Sequence, residues 1–206
     1  MAERPDHATS PSVRQALISA ALAEIMEHGV NGLRVHRVCE TAGVTTGALY
    51  FHFGNREGLA CEAIYERFVE LSRGSFDEIK RLQRSDLQGD EFYEAYLQPH
   101  RFVFRPIQAE FRRIRAEAIL LAQSNESFRQ RLTTIERQFF EEHRLLIQSS
   151  ADAGRLAPRH DITATAAFFF AFGFGLIALD NLGMDSFDTE KIIAVLGEVF
   201  RALDAK

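Results

Sequence analysis

The sequence contains no tryptophan, only two cysteines and only five prolines among its 206 residues. Two cysteines cannot build a disulfide scaffold, so Cys39 and Cys61 are interpreted as small apolar packing residues. Few prolines and few runs of β-branched residues favour an all-helical chain. No spacing of histidine, cysteine and acidic residues matches a metal site, and we expect neither a metal nor a cofactor.

A basic excess is also missing, since the formal net charge is −5. This charge is unlike that of a protein that coats nucleic acid. Residues 1–56 carry five arginines and five acidic residues, so the whole negative charge lies after them. The N-terminal twelve residues have no apolar core of a signal peptide, and residues 1–11 are predicted to be a disordered lead-in.

The longest apolar run spans residues 162–179 and only just reaches the length of a membrane-spanning helix. Asp161 and Asp180 flank it, and two threonines and two glycines interrupt it. These features favour a helix buried on most sides of a soluble protein, with no membrane as a partner.

Residues 35–59 predict two short helices joined by a tight turn. Apolar residues spaced like one face of a helix make up the first: Val35, Val38, Cys39 and Ala42. Gly43 ends this helix, because glycine adopts the left-handed conformation that a sharp turn needs. Thr45 is the predicted N-cap of the second helix, and Leu49 is predicted to face inward.

The outward residues of the second helix are small or hydroxylated at its start, followed by aromatic and hydrogen-bonding groups. A slim helix end of this kind fits the major groove of DNA, with donors around it for phosphates. Because Thr45 and Thr46 carry no charge, the phosphate contacts must come from the edges of the helix. The candidate DNA-binding residues are Arg34, Arg37, Thr45, Thr46, Gly47, Ala48, Tyr50, His52 and Arg56.

This stretch resembles the TetR family of bacterial transcriptional repressors. The resemblance rests on Ala42-Gly43-Val44-Thr45, Gly47, Leu49-Tyr50, His52-Phe53, Arg56 and Leu59, and it is specific over roughly residues 13–65. Arg56 stands where the family commonly has lysine, and Leu33-Arg34 stand where it usually has a capping threonine or serine. The resemblance implies a homodimer that binds a palindromic operator and is released by a small molecule.

The predicted fold is all-α, with a three-helix helix-turn-helix DNA-binding domain over residues 12–56. A helical ligand-binding and dimerisation domain is predicted over residues 57–206. Gly29 is expected to end the first helix, and Gly74 to break or bend the fourth. Helices are also predicted over residues 108–123 and 128–153, with a bend at Pro99 in the segment before them.

Sixteen of the 18 phenylalanines follow residue 57. Such a sequence can line an internal cavity for an apolar or aromatic ligand, although each single phenylalanine is as well explained by the core. The candidate walls are Phe92, Tyr96, Phe104, Phe111, Phe139 and Phe170. The candidate polar contacts to the ligand are His100, Glu117, His143 and Asn181.

The last two helices carry more apolar surface than a monomer needs, which predicts a homodimer joined through a four-helix bundle. An enzyme using His100 or His143, or a lipid carrier without DNA binding, is the alternative. The sequence has no nucleophile elbow and no phosphate loop, so we expect no enzyme. A carrier would leave residues 43–56 without a purpose, and we expect a cytoplasmic DNA-binding regulator.

Overall fold

The computed structural model describes residues 12–103, 108–184 and 188–204, without the side chains at 99, 100, 102 and 103. Within these ranges the chain forms nine helices and no strand, apart from one isolated bridge between Pro158 and Asp204. The helices are α1 Val13–Gly32, α2 Val35–Ala42, α3 Thr46–Phe53, α4 Arg56–Gln83, α5 Gly89–Val103, α6 Ala109–Ser124, α7 Glu126–Asp152, α8 Ile162–Asn181 and α9 Thr189–Ala202. The predicted all-α fold is confirmed.

Side-chain caps fix where most of these helices begin. Each cap oxygen accepts a backbone N–H that has no partner inside its helix. The observed N-caps are Ser12, Thr45, Asn125, Asp161 and Asp188, with oxygen–nitrogen distances of 2.8 to 3.3 Å. Thr45 is the predicted cap of α3, and the other four belong to the serine, asparagine and aspartate residues that favour N-caps, so local chemistry decides these boundaries.

The three predicted helix interruptions have different outcomes in the structure. Gly29 leaves helical geometry (φ 73°, ψ 168°), yet one further turn follows before α1 ends at Gly32. The predicted break at Gly74 is wrong, because α4 continues unbroken from Arg56 to Gln83. The helix α5 includes Pro99 and extends to Val103. The predicted bend at Pro99 stays a prediction. A glycine in an exposed helix costs only about 1 kcal/mol, which the flanking turns offset here.

The chain divides into two compact units, Met1–Arg67 and Phe68–Lys206. In the first unit, α1 packs across α2 and α3, which also contact each other. Its core residues include Leu17, Ala21, Ile25, Val38, Leu49, Leu59 and Ile64. Arg14 adds hydrogen bonds to Glu62 (2.9 Å) and Glu66 (2.6 Å), which join α1 to α4. This packing leaves one side of α3 uncovered within the unit.

In the second unit, α5 packs on α9, and α6, α7 and α8 contact one another. An aromatic cluster built around Tyr96 forms much of its core. The Tyr96 ring stacks on Phe200 with centroids 4.0 Å apart, and it meets Phe169 edge-on at 5.6 Å. The Tyr96 hydroxyl lies 2.7 Å from His143 Nε2, so this buried polar pair is satisfied internally.

α8 is much more exposed than the sequence predicted. It is long and apolar enough to cross a membrane by length and composition alone, with mean hydropathy 2.1, and 28% of that window is buried. Its buried residues are Thr165, Ala166, Phe169, Leu176 and Ile177. The predicted helix buried on most sides is therefore wrong for a single chain. The high hydropathy of α8 predicted burial correctly only for the face of α8 that packs against α6 and α7.

Candidate DNA-reading surface and effector cavity

The turn between α2 and α3 has the geometry that the sequence predicts. Gly43 adopts the left-handed conformation (φ 66°, ψ 31°), and its N–H donates to the last carbonyls of α2. The N–H of Val44 then donates to the oxygen of Cys39 at 3.0 Å. A residue with a Cβ would be strained at this φ value. Glycine therefore sets the angle at which α3 leaves α2.

α3 is held to the first unit by very little buried surface. Only Leu49 of its eight residues is fully buried, while Thr46, Gly47, Tyr50, Phe51 and His52 are exposed. Thr45 Oγ1 accepts the N–H of Ala48 at 3.3 Å, which completes the first turn. The predicted set Thr45, Thr46, Gly47, Ala48, Tyr50 and His52 thus occupies one short helix whose outer surface is open.

Phe51 was not predicted as a site residue, although its side chain is the most exposed, at 86%, among the large apolar residues that the structure describes. Successive residues of an α-helix turn by about 100°, so Phe51 lies about 200° around α3 from Leu49. It therefore points away from the core of its unit. The signal in the sequence was this spacing from Leu49, since a core phenylalanine would not stand there.

The structure separates the three predicted arginines. The side chain of Arg34 is exposed and makes no hydrogen bond or ion pair with the part of the chain that the structure describes. Arg37 is half-exposed, and its Nη1 lies 3.0 Å from His28 Nε2 and 3.8 Å from Glu24. Arg37 therefore ties α2 to α1 while part of it still faces solvent.

Arg56 differs most from its predicted role. Its Nε donates to the oxygen of Leu33 at 2.9 Å, and its Nη2 donates to the oxygens of Val30 (2.6 Å) and Asn31 (2.9 Å). These carbonyls belong to the end of α1 and the connector to α2. The guanidinium thus supplies donors to carbonyls near a helix end, which otherwise lack partners there. This geometry favours a structural role over the predicted phosphate contact.

An apolar cavity of about 350 Å³, widely open to solvent, lies in the second unit. Its walls come from α6, α7 and α8, and they are Ile119, Leu132, Thr133, Glu136, Arg137, Phe140, Phe170 and Phe174. The volume falls in the range of small-molecule sites, and the mixture of aromatic walls with few charged groups is typical of them. The cavity therefore offers a small ligand a binding place.

Of the predicted wall residues, only Phe170 lines this cavity. Phe92 and Tyr96 belong to the core cluster instead, and burial raises the pKa of the Tyr96 hydroxyl. Phe111 stacks against Phe68, and Phe139 meets Phe76 edge-on at 4.6 Å. The count of phenylalanines indicated an aromatic interior but could not tell which rings face a void.

The predicted polar contacts are also placed elsewhere. His143 pairs with Tyr96, and Asn181 Nδ2 donates to the oxygens of Ile177 (2.9 Å) and Arg112 (3.3 Å). Glu117 is partly buried on α6 and is not among the residues that line the cavity. Phe104 and the side chain of His100 lie outside the described residues.

Sequence reasoning missed the charged pair beside the cavity. Arg115 on α6 is buried, and its Nη2 donates to Glu136 Oε2 on α7 at 2.6 Å. Burial lowers the pKa of Arg115 and raises the pKa of Glu136, although each charge opposes the shift of the other. Arg115 stands four residues after Phe111 and three before Ala118, both buried. A charge on the apolar stripe of α6 was the signal available in the sequence.

Residues 17–68 match the family model described as bacterial regulatory proteins, tetR family. This part of the chain is therefore an N-terminal domain of the TetR family. A protein named as the acrEF/envCD operon repressor of Escherichia coli strain K12 is 41% identical over 46 residues, which are 22% of this chain and 21% of that repressor. The match to this curated relative thus spans about a fifth of its length.

Solved structures extend the TetR-family likeness to the fold of almost the whole chain. A TetR-family transcriptional regulator from Rhodococcus sp. is 24% identical, with a TM-score of 0.61, over 93% of this chain and 97% of that one. A transcriptional regulator from Saccharomonospora viridis, solved in complex with choline, is 13% identical, with a TM-score of 0.74, over 94% and 97% of the two chains. At these identities the likeness concerns the fold.

Proposed function

We propose that this TetR-family regulator is a repressor that binds a palindromic DNA operator as a homodimer and is released by an apolar or aromatic small molecule. The observation that carries the proposal is α3, an eight-residue helix anchored by Leu49 with its outer surface open. A helix this slim fits the major groove of DNA, which is about 12 Å wide.

The proposed contacts follow from what α3 exposes. Thr46 and Gly47 begin the helix and carry no bulk, so the backbone there can approach base edges closely. Phe51 offers an apolar surface of the kind that meets the methyl group of thymine. Arg34, Tyr50 and His52 border this surface and are proposed to contact phosphates. Arg37 is a weaker phosphate candidate, because Glu24 and His28 already hold it.

A homodimer through α8 and α9 is proposed because both helices leave an apolar face uncovered. On α8 and its C-cap Leu182 the exposed residues recur at helical spacing: Ala164, Ala167, Phe168, Ala171, Gly175, Ala178 and Leu182. On α9, Val195 is 60% exposed and stands three residues after Ile192 and four before Val199. Two such pairs of helices can form a four-helix bundle, and the two-fold symmetry would match a palindromic operator.

The proposed effector binds in the cavity of α6, α7 and α8 and stabilises a state with lower affinity for DNA. The coupling between such sites is typically about 1–3 kcal/mol. The Saccharomonospora viridis regulator, which shares the fold, holds a small molecule, choline. That complex supports a small-molecule site in this fold without identifying the molecule here. A DNA-binding role places the protein in the cytoplasm.

A fluorescence-anisotropy titration of DNA from around the chain's own gene tests the proposal. We expect wild-type protein to prefer one segment over a scrambled duplex of equal length at moderate salt. In a dimer, Tyr50→Ala removes two contacts, and a loss of about 1 kcal/mol at each weakens binding roughly 30-fold. Leu145→Ala is the matched control, because Leu145 is similarly exposed (41% against 48% for Tyr50) but lies on α7.

If no segment is preferred over the scrambled duplex, the DNA-binding function is wrong. If Tyr50→Ala and Leu145→Ala both bind like wild type, the assignment of the α3 surface is wrong even though DNA binding itself stands. Circular dichroism of both variants excludes unfolding as the cause of a loss.

A further inference from the structure

Arg115 is a cation placed inside an aromatic cluster. Only 8% of the residue is accessible to solvent. The central carbon of its guanidinium lies 3.8 Å from the centroid of Phe174, and Phe68, Phe111 and Phe170 surround it at 5.8 to 6.0 Å. The rings attract the charge through their π faces, but they offer no hydrogen-bond acceptor to its N–H groups. Removing such a group from water costs several kcal/mol.

The hydrogen-bonding capacity of this guanidinium is not fully used. Glu136 accepts one bond from Nη2, and the Nε–H of Arg115 is buried without an acceptor among the residues that the structure describes. A buried donor without a partner costs about 1–3 kcal/mol. A buried ion pair with an unused donor therefore contributes little to the stability of the fold. Buried charges with shifted pKa values cluster at functional sites.

The pair is directly connected to the cavity. Glu136, Phe170 and Phe174 line the cavity and also surround Arg115. The rest of the wall is mostly apolar, and its other charged group is Arg137, which is exposed. The charges at this place are thus two arginines and one glutamate, which leaves a net positive charge of one and favours an anion.

We propose that the cavity binds an amphipathic carboxylic acid, with its carbon skeleton against Phe140, Phe170 and Phe174 and its carboxylate on the Nε–H of Arg115. This inference rests on the proposed function, because the acid would be the effector. Phe174 covers the guanidinium, so the carboxylate reaches Nε after this ring rotates aside. Side-chain rotations of this size are common when ligands bind. Arginine suits the task because its planar fork of donors matches a carboxylate.

The size of the cavity limits the skeleton. An apolar cavity of about 150 Å³ accommodates benzene, so about 350 Å³ accommodates one aromatic ring with a short chain. Phenylbutyrate, phenylbutyramide and phenylbutylammonium share one skeleton and differ in head-group charge. The negative, neutral and positive head groups therefore test the proposal on wild-type protein without any substitution.

Isothermal titration calorimetry of the full chain without DNA is the decisive measurement. We expect phenylbutyrate to bind at least tenfold more tightly than the amide, and the ammonium to bind most weakly. An amide that binds as well as the acid overturns the role of Arg115. An ammonium that binds best shows that Glu136 and the rings hold a cation instead. If none of the three binds, the assignment of the cavity to this class of ligand is wrong.

Two variants locate the carboxylate. Arg115→Met keeps an apolar side chain of similar length, and we expect it to bind acid and amide equally. Glu136→Gln keeps the shape but removes the competing charge, so it should bind the acid at least as tightly as wild type. If Glu136→Gln loses the acid while Arg115→Met keeps it, the carboxylate does not lie on Arg115. The wild-type ranking decides the matter if either variant fails to fold.

A parallel anisotropy titration with DNA keeps the two proposals apart. Specific DNA binding without acid binding leaves the regulator intact and refutes only the effector class. Acid binding without specific DNA binding supports the cavity assignment and refutes the regulator. Release of bound DNA by phenylbutyrate, but not by phenylbutyramide, would show that acid binding in the cavity controls DNA binding.

Discussion

Replacing Arg56 with methionine should loosen the end of α1 and the start of α2. The guanidinium donates three hydrogen bonds to the carbonyls of Val30, Asn31 and Leu33, at 2.6 to 2.9 Å. A hydrogen bond from a charged donor contributes about 1.5–3 kcal/mol when buried. One of these bonds is exposed and the arginine is only half-buried, so we discount the total to about 2 kcal/mol.

Hydrogen exchange measures this loss where it occurs. A local opening that becomes easier by about 2 kcal/mol exchanges roughly 30-fold faster. We expect this acceleration in peptides that cover residues 30–42. Amides of α7, which belong to the other compact unit, should exchange as in wild type.

Two further variants separate structure from DNA contact at this position. Arg56→Lys keeps the charge but cannot place two nitrogens against three carbonyls, so most of the acceleration should remain. Arg34→Met is the matched control, because Arg34 is exposed and should affect DNA affinity without affecting exchange. If Arg56→Met exchanges like wild type but loses DNA affinity, Arg56 is a phosphate contact and our structural assignment is refuted.

Three other predictions can be checked with standard measurements. Thr45→Ala removes the cap of α3 and should lower the free energy of unfolding by about 1 kcal/mol in urea, monitored by circular dichroism. Ala171→Arg places a charge on the exposed apolar face of α8, so light scattering should show a monomer with unchanged helical content; a persistent dimer would contradict the proposed interface. Tyr93→Phe removes the hydrogen bond to Asp204 and should cost about 1–2 kcal/mol in a thermal melt. The loss should be equal at neutral and mildly alkaline pH, because burial raises the pKa of Tyr93 and keeps its hydroxyl protonated.

Features that depend on neighbours in the sequence were predictable. Ser12, Asn125 and Asp188 cap helices because each side chain reaches an N–H two or three residues later. Gly43 was equally predictable, since its left-handed turn depends on one residue. Gly74 was not, because glycine permits a bend without requiring one, and the flanking residues continue the helix.

The site beside the cavity could not be predicted because it depends on contacts between helices. Arg115 and Glu136 are 21 residues apart and meet only when α6 packs on α7. The sequence shows many phenylalanines, but the orientation of Tyr96 or Phe170 is decided by which helices pack together. Arg56 is a similar case. Its position at the start of α4 suggested a contact to a DNA phosphate, whereas the fold brings the carbonyls of Val30 and Leu33 within its reach.

The shallow attachment of α3 has a consequence for how such a regulator changes over evolutionary time. Leu49 alone is fully buried in this helix, so substitutions at Thr46, Tyr50 or Phe51 create no cavity and break no core contact. Target choice and folding are therefore encoded by different side chains. Substitutions on the outer surface of α3 can therefore change which operator is bound while the core of the first unit stays the same.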